Sequence, residues 1–198
     1  MSEFEDFGKI ARLSRECTVT EKIDGTNAQV FIGEDGEFKA GSRTRWITPE
    51  DDNFGFARWA QENKDELMKL GPGRHFGEWW GSGIQRGYGL PKGEKRFSLF
   101  NTRRWANHGA ELKVYASENP LQSKSQEFPP LCCGVVPVLY EGVFDTAMIH
   151  AVVERMRETG SVAAPGFHKP EGVIVWHTAA RIYFKKTLDK DHEWKGKS

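Results

Sequence analysis

At 198 residues the chain has room for one domain with a substantial core, and its 38% hydrophobic and 28% charged content is that of an ordinary soluble protein. Equal numbers of basic and acidic residues, 28 each, argue against a generic polyanion binder. The balance is uneven along the chain, however, because residues 71–113 carry 8 basic and 3 acidic side chains, enough for a local phosphate-holding surface.

The acidic start, Met1 to Asp6, has neither the basic residues nor the apolar stretch of a signal peptide. No apolar run approaches the roughly 20 residues of a membrane span. Cys17, Cys132 and Cys133 form neither a disulfide framework nor a spaced metal pair. The expectation is a cytoplasmic protein with reduced thiols and no membrane partner.

Cys17 to Lys22 reads as a strand by β-branching and alternation, and Asn27 to Ile32 as another. Gly33-Glu34-Asp35-Gly36 supplies a turn into a return strand from Phe38. Phe56, Trp59, Ala60, Asn63 and Leu67 recur at helical spacing and predict one helix ended by Gly71-Pro72. Short strands follow at His75–Trp79 and Phe97–Phe100. Ser117 to Pro130 is a polar loop, and Leu131 to Tyr140 a further extended run. Asp145 can cap a second helix with Ile149, Val152, Val153 and Met156 on one face, ending near Gly160. Gly172–Trp176 and Arg181–Phe184 are the last strands. Several strands, two main helices and many glycine turns make an α+β layout, without a regular βαβ series.

Lys22 stands where a strand gives way to Asp24-Gly25, so its ammonium projects beyond a rigid platform. A lysine becomes a covalent nucleophile when desolvation or neighbouring cations lower its pKa. Glu78, in FGEWWG, is a single carboxylate on an otherwise apolar strand, suited to accept hydrogen bonds from sugar hydroxyls or simply to sit at an edge. Phe97 and Phe100 need not share a face, so one can be core while the other stacks on a base. Glu171 opens an apolar strand. Lys185 and Lys186 end the last one, and alternation lets one of them face a site inside. Arg103-Arg104-Trp105 fits a nucleic-acid grip and a surface pair over a core Trp equally well. Gly196-Lys197-Ser198 imitates a Walker A ending but lacks the upstream glycine, where Asp191 stands, and His192 beside Glu193 has no zinc-ligand spacing.

The order lysine, acid, aromatic, acid, lysine resembles the covalent nucleotidyltransferase superfamily of ATP-dependent DNA ligases, RNA ligases and capping enzymes, over about Thr18 to Thr187. Glu21-Lys22-Ile23-Asp24-Gly25-Thr26-Asn27 and the segment Phe76 to Gln85 are most similar to the phage RNA ligase 2-type family, and Ser42-Arg43-Thr44 resembles its arginine-bearing segment. The resemblance implies a single ligase-type adenylation domain over residues 1–198, ATP-grasp-like, with antiparallel sheets flanked by helices around an ATP cleft and no OB domain. It implies ATP and Mg2+ or Mn2+ as cofactors, and RNA or DNA strand ends as partners. By the same resemblance Lys22 carries AMP and Glu78 holds the ribose. Phe100 stacks on adenine, Glu171 places the metal, and Lys185 or Lys186 contacts the α-phosphate. Glu21, Asp24, Gly25 and Arg43 complete the nucleotide-binding set. Two positions depart from the family pattern: Asp24 stands where His is usual, and the final lysine-x-lysine lacks one cation. RNA ligation is therefore the first expectation, with a DNA nick ligase and a non-catalytic nucleotide- or RNA-binding module as alternatives. With no OB domain to grip the substrate, the basic stretch 71–113 or an accessory subunit would do so.

Overall fold

A computed structural model of the chain describes residues 3–4, 6–108 and 127–189. Most of the polar loop from Ser117 lies outside the described residues, as do Asp191, His192, Glu193 and the Gly196-Lys197-Ser198 ending. Among the described residues no helix is long and apolar enough to cross a membrane.

Among the described residues ten strands form two sheets. The first sheet has the order β10-β9-β1-β8, built from β1 (Glu16–Lys22), β8 (Val138–Val143), β9 (Gly172–His177) and β10 (Ile182–Thr187), antiparallel throughout. The second has the order β4-β3-β2-β5-β6-β7. Its strands are β2 (Thr26–Ile32), β3 (Phe38–Ser42), β4 (Trp46–Ile47), β5 (Gly73–Gly81), β6 (Lys95–Leu99) and β7 (Cys133–Val135). The expectation of antiparallel sheets holds except at β6–β7, which pair in parallel. A parallel neighbour needs a long crossover, and the chain between Leu99 and Cys133 supplies one.

The alternation of β1 divides its two faces. Cys17 and Val19 join Val173, Val175 and the apolar stripe of α3 (Thr146–Thr159) in one core, leaving Thr18, Thr20 and Lys22 on the opposite face. Asp145 caps α3 through a 2.7 Å bond from the Ala147 N–H, and Gly160 closes it at φ 86°. The second sheet buries Val30, Trp79, Phe97 and Leu99 against α1 (Phe56–Glu62). Phe56 lies 5.0–5.6 Å from the rings of Trp59, Trp79 and Phe97, and such pairs contribute about 0.5–1.5 kcal/mol each beyond area burial.

The helix expected across Phe56 to Leu67 is broken. Asn63 leaves helical geometry at φ −104°, ψ 16°, and α2 (Lys64–Leu67) follows with a tight turn over Met68–Leu70. The Asn63 amide donates to the Trp59 carbonyl at 2.8 Å, the local competition that makes Asn a helix interrupter. The extended run Leu131–Tyr140 also divides. Its ends enter different sheets, and Val136-Pro137 is the crossing between them. Ile23, in the β1–β2 link, is the other early crossing. Ile23 and Val136 pack with Trp80, Tyr88 and Ala164 in a third cluster that joins the sheets.

Candidate active site

Lys22 ends β1, and its ammonium forms an ion pair with Oε2 of Glu171, the residue before β9. Oε2 is buried, and the Lys22 ammonium lies directly against it. Glu78 approaches from β5 of the other sheet. Its Oε1 accepts the Gly25 N–H at 3.1 Å and its Oε2 the Asn27 amide at 3.0 Å. Burial pushes the Glu78 carboxyl up to about 7; Lys22 and the two hydrogen bonds pull it down, while Glu171 adds to the rise. The two carboxylates and the lysine thus share one electrostatic environment where the sheets meet.

Gly25 has a steric reason for its identity. A Cβ there would overlap the Trp79 carbonyl and lie 2.8 Å from Trp80 Cβ and 3.1 Å from Glu78 Cγ. Only glycine lets the turn after Lys22 lie against β5 and donate to Glu78. Gly172 does the same for Glu171, since a Cβ would overlap the Lys186 carbonyl oxygen across the β9–β10 pair.

Strand register separates the two terminal lysines. Lys185 pairs with Ile174, which pairs with Thr20; Lys186 pairs with Val173, which pairs with Glu21. Lys185 therefore shares the face of Lys22, and Lys186 the face of α3. On the Lys22 face the next position is Thr187, level with Gly172 and Lys22. Lys22 and Lys185 are offset by two strands and two residues, roughly 12 Å between Cα atoms. Their extended side chains can close that separation around one phosphate.

Phe100 follows β6, its N–H donating to the Phe76 carbonyl at 2.9 Å. Phe97 is buried in the core, whereas Phe100 is 40% exposed on the face of Ser98, the cross-strand partner of Glu78. Phe76 is exposed on that same face, two residues before Glu78. Arg43 lies on the exposed turn just past Ser42, the partner of Ala28. Among the described residues no ion pair joins it to Glu78 or Glu171.

Two expected ligand residues are engaged elsewhere. Glu21 points away from Lys22. It is fully buried and accepts bonds from the Ser161 hydroxyl, the Val162 N–H at 2.8 Å and the Ala163 N–H at 2.9 Å. Burial nonetheless drives its pKa upward. Asp24 accepts Arg86 Nε at 2.9 Å. Both acids brace the loop that follows Lys22.

Three residues outside the sequence-derived set shape the site. Asn27 orients Glu78. Arg86 joins Asp24 to the carbonyls of Lys169 and Pro170, at 3.0 and 3.5 Å, and lies 3.6 Å from Asp189. The Tyr88 hydroxyl accepts the Asp24 N–H at 2.9 Å and also meets the Glu171 backbone. One phenol thus pins both arms of the Lys22–Glu171 pair. Burial raises its pKa, which keeps it a neutral hydroxyl. Arg86 directly follows Gln85 and Tyr88 comes after Gly87 in the glycine-rich run, the signal the sequence offers for them. At Arg103-Arg104-Trp105 the surface-pair arrangement is present: Arg104 stacks 4.2 Å over buried Trp105 and bonds the Leu70 carbonyl at 2.8 Å.

A family model described as RNA ligase matches residues 15–190. The chain belongs to the RNA ligase family. Its fold is shared with solved structures of an RNA ligase from Naegleria gruberi. The family member here superposes on a mutant form with ATP and Mn at TM-score 0.58 and 19% identity, covering 89% of this chain and 51% of that one. A mutant with AMP and Mn gives 0.57 and 20%, covering 88% and 50%, and an apo mutant gives 0.56 and 20% over the same shares. This RNA ligase family chain thus spans about half the length of those structures. No curated protein sequence matches it.

Among the described residues no three His, Cys, Asp or Glu side chains cluster to hold a metal by themselves. The Glu171 carboxylate, with a buried oxygen against the Lys22 ammonium, suits a cation that takes its other ligands from phosphate and water.

Proposed function

We propose that this chain is an ATP-dependent RNA ligase that works through a lysyl-AMP at Lys22. The carrying observation is the Lys22–Glu171 ion pair beside Glu78, with Lys185 on the same sheet face. In the first step Lys22 Nζ, having lost its proton to solvent, attacks the α-phosphorus of ATP. A P–N bond forms, the P–O bond to pyrophosphate breaks, and pyrophosphate leaves. An RNA 5′-phosphate oxygen then attacks the same phosphorus, restoring the lysine and giving an AMP-capped end. A 3′-hydroxyl finally displaces AMP and seals the strand.

Phosphoryl transfer asks mainly for positioning and charge neutralisation. The Glu171 carboxylate holds the Lys22 side chain by an ion pair in the resting site. A divalent cation held by Glu171, Mg2+ or Mn2+, would supply charge neutralisation on the phosphate oxygens when bound. Glu78 faces a ribose from the rigid β5 platform, Phe100 and Phe76 offer apolar faces for adenine, and Lys185 offsets charge on the α-phosphate. Family membership favours RNA over the DNA alternative. Thr187, standing where a second cation would share the site face, favours the non-catalytic module as a second reading.

Intact mass after incubation with ATP and Mg2+ tests the proposal. The expected result is a gain of one AMP, abolished in Lys22→Ala. A wild-type chain that binds ATP without gaining that mass is a binding module, and the ligase reading is wrong.

A further inference from the structure

The sheet face that carries Lys22 continues beyond it in rows fixed by register. Lys22, Gly172 and Thr187 form the first row, Thr20, Ile174 and Lys185 the second, and Thr18, Trp176 and Tyr183 the third. The Trp176 and Tyr183 rings lie 4.4 Å apart at 39°. Tyr183 is 70% exposed, and neither ring belongs to a hydrophobic core cluster. Tyr183 stands on the edge strand β10 and Trp176 on the inner strand β9, both on the face opposite the α3 core. The basic side chains near them are Lys185, one row closer to the nucleophile, and Arg181, exposed in the turn entering β10 at φ 53°. Of the acids near this face, Glu16 and Glu141 lie on β1 and β8, and Glu171 is paired with Lys22 at the head of β9. The rings share the far end of β9–β10 with Lys185 and Arg181.

We propose that Trp176 and Tyr183 form a stacking platform for an unpaired base of the RNA strand whose end is engaged at Lys22, with Lys185 and Arg181 meeting its phosphates. The inference deepens the ligase reading and rests on it. The third row is about 13 Å from Lys22 along β1, so a strand with its terminal phosphate at the nucleophile lays a nearby base over the rings. Exposed π-faces interleaved with cations are what sequence-tolerant single-strand binding uses. The two flanking cations supply the phosphate partners that base stacking by itself lacks.

The test measures anisotropy of a labelled, 5′-phosphorylated single-stranded RNA oligonucleotide, alongside the lysyl-AMP mass assay, which needs no RNA. Trp176→Ala/Tyr183→Ala is expected to weaken RNA binding tenfold or more while forming lysyl-AMP at the wild-type rate. Tyr183→Leu, which keeps apolar bulk but loses the ring, is expected to weaken binding several-fold, and Tyr183→Phe to leave it unchanged. Equal RNA affinity in wild type, the double variant and Tyr183→Leu overturns the platform even when lysyl-AMP forms. So does a wild-type chain that binds no RNA, which would leave the rings to a protein partner. Loss of RNA binding in the variants of a chain that never gains AMP supports the platform and removes the ligase reading, so the two failures are distinct.

Discussion

Glu78 places a titration in the middle of the physiological range. Its pKa of about 7 lies above the ordinary 4.5, chiefly through burial. Between those values the folded chain keeps a proton that the unfolded chain has released, so stability falls as pH rises from about 4.5 to 7. The shift corresponds to a contribution on the order of 3 kcal/mol. Urea melts at pH 5 and pH 8 should show the decline, and Glu78→Gln should flatten much of it. Buried Glu21 contributes in the same direction and leaves a residual slope. The terminal lysines are separable at this scale too. Lys185→Ala should slow lysyl-AMP formation about 100-fold, the usual cost of removing one transition-state charge partner. Lys186→Ala, on the α3 face, should cost a few-fold at most in the same single-turnover assay. The sequence carried both lysines but not their phase. Which one shares the nucleophile's face depends on the pairing Lys185–Ile174–Thr20, a long-range register that local alternation cannot supply.

At the level of elements, the nucleophile loop is held by residues that carry no chemistry. Tyr88 sits at φ 52°, an unusual backbone conformation for a bulky residue, and the fold sustains it because the phenol satisfies the Asp24 N–H and packs with Trp80 and Phe167. Tyr88→Phe keeps the packing and strands a buried donor. It should lower stability by about 1–3 kcal/mol, read as a fall in Tm, and slow lysyl-AMP formation without changing ATP affinity as much. Most strands were legible from alternation, and α3 from its cap and apolar stripe. The break at Asn63 was hidden because its spacing suits a continuous helix; a side-chain bond to Trp59, invisible to periodicity, interrupts it. The split of Leu131–Tyr140 had a local signal in Pro137, but which sheet each half joins is a matter of topology. Asn27, Arg86 and Tyr88 were missed for the same reason. Each acts on a residue 51 to 64 positions away in the chain, or farther.

Across the whole molecule, zero net charge means that substrate capture depends on a few placed cations rather than on a general field. If Lys185 and Arg181 meet two phosphates as proposed, the log–log salt dependence of single-stranded RNA affinity should have a slope of about −1.4. Titration from low to moderate salt measures it, and a slope several times steeper would point to a much broader basic surface. The joint of Ile23, Trp80, Tyr88, Val136 and Ala164 fixes how the two halves of the site meet. One sheet presents the amine and Glu171, the other Glu78 and the exposed phenylalanines.

The Lys22–Glu171 contact carries one more consequence. Conversion of an ammonium to an AMP phosphoramidate replaces a positive charge with a negative one, a change of two units at a single atom group. On the proposed reaction the Glu171 carboxylate would lose its counter-ion as a phosphate anion arrived beside it, and the site would come to demand cations. Lys185, which meets the α-phosphate in the proposed first step, would remain in place to answer that demand in the second.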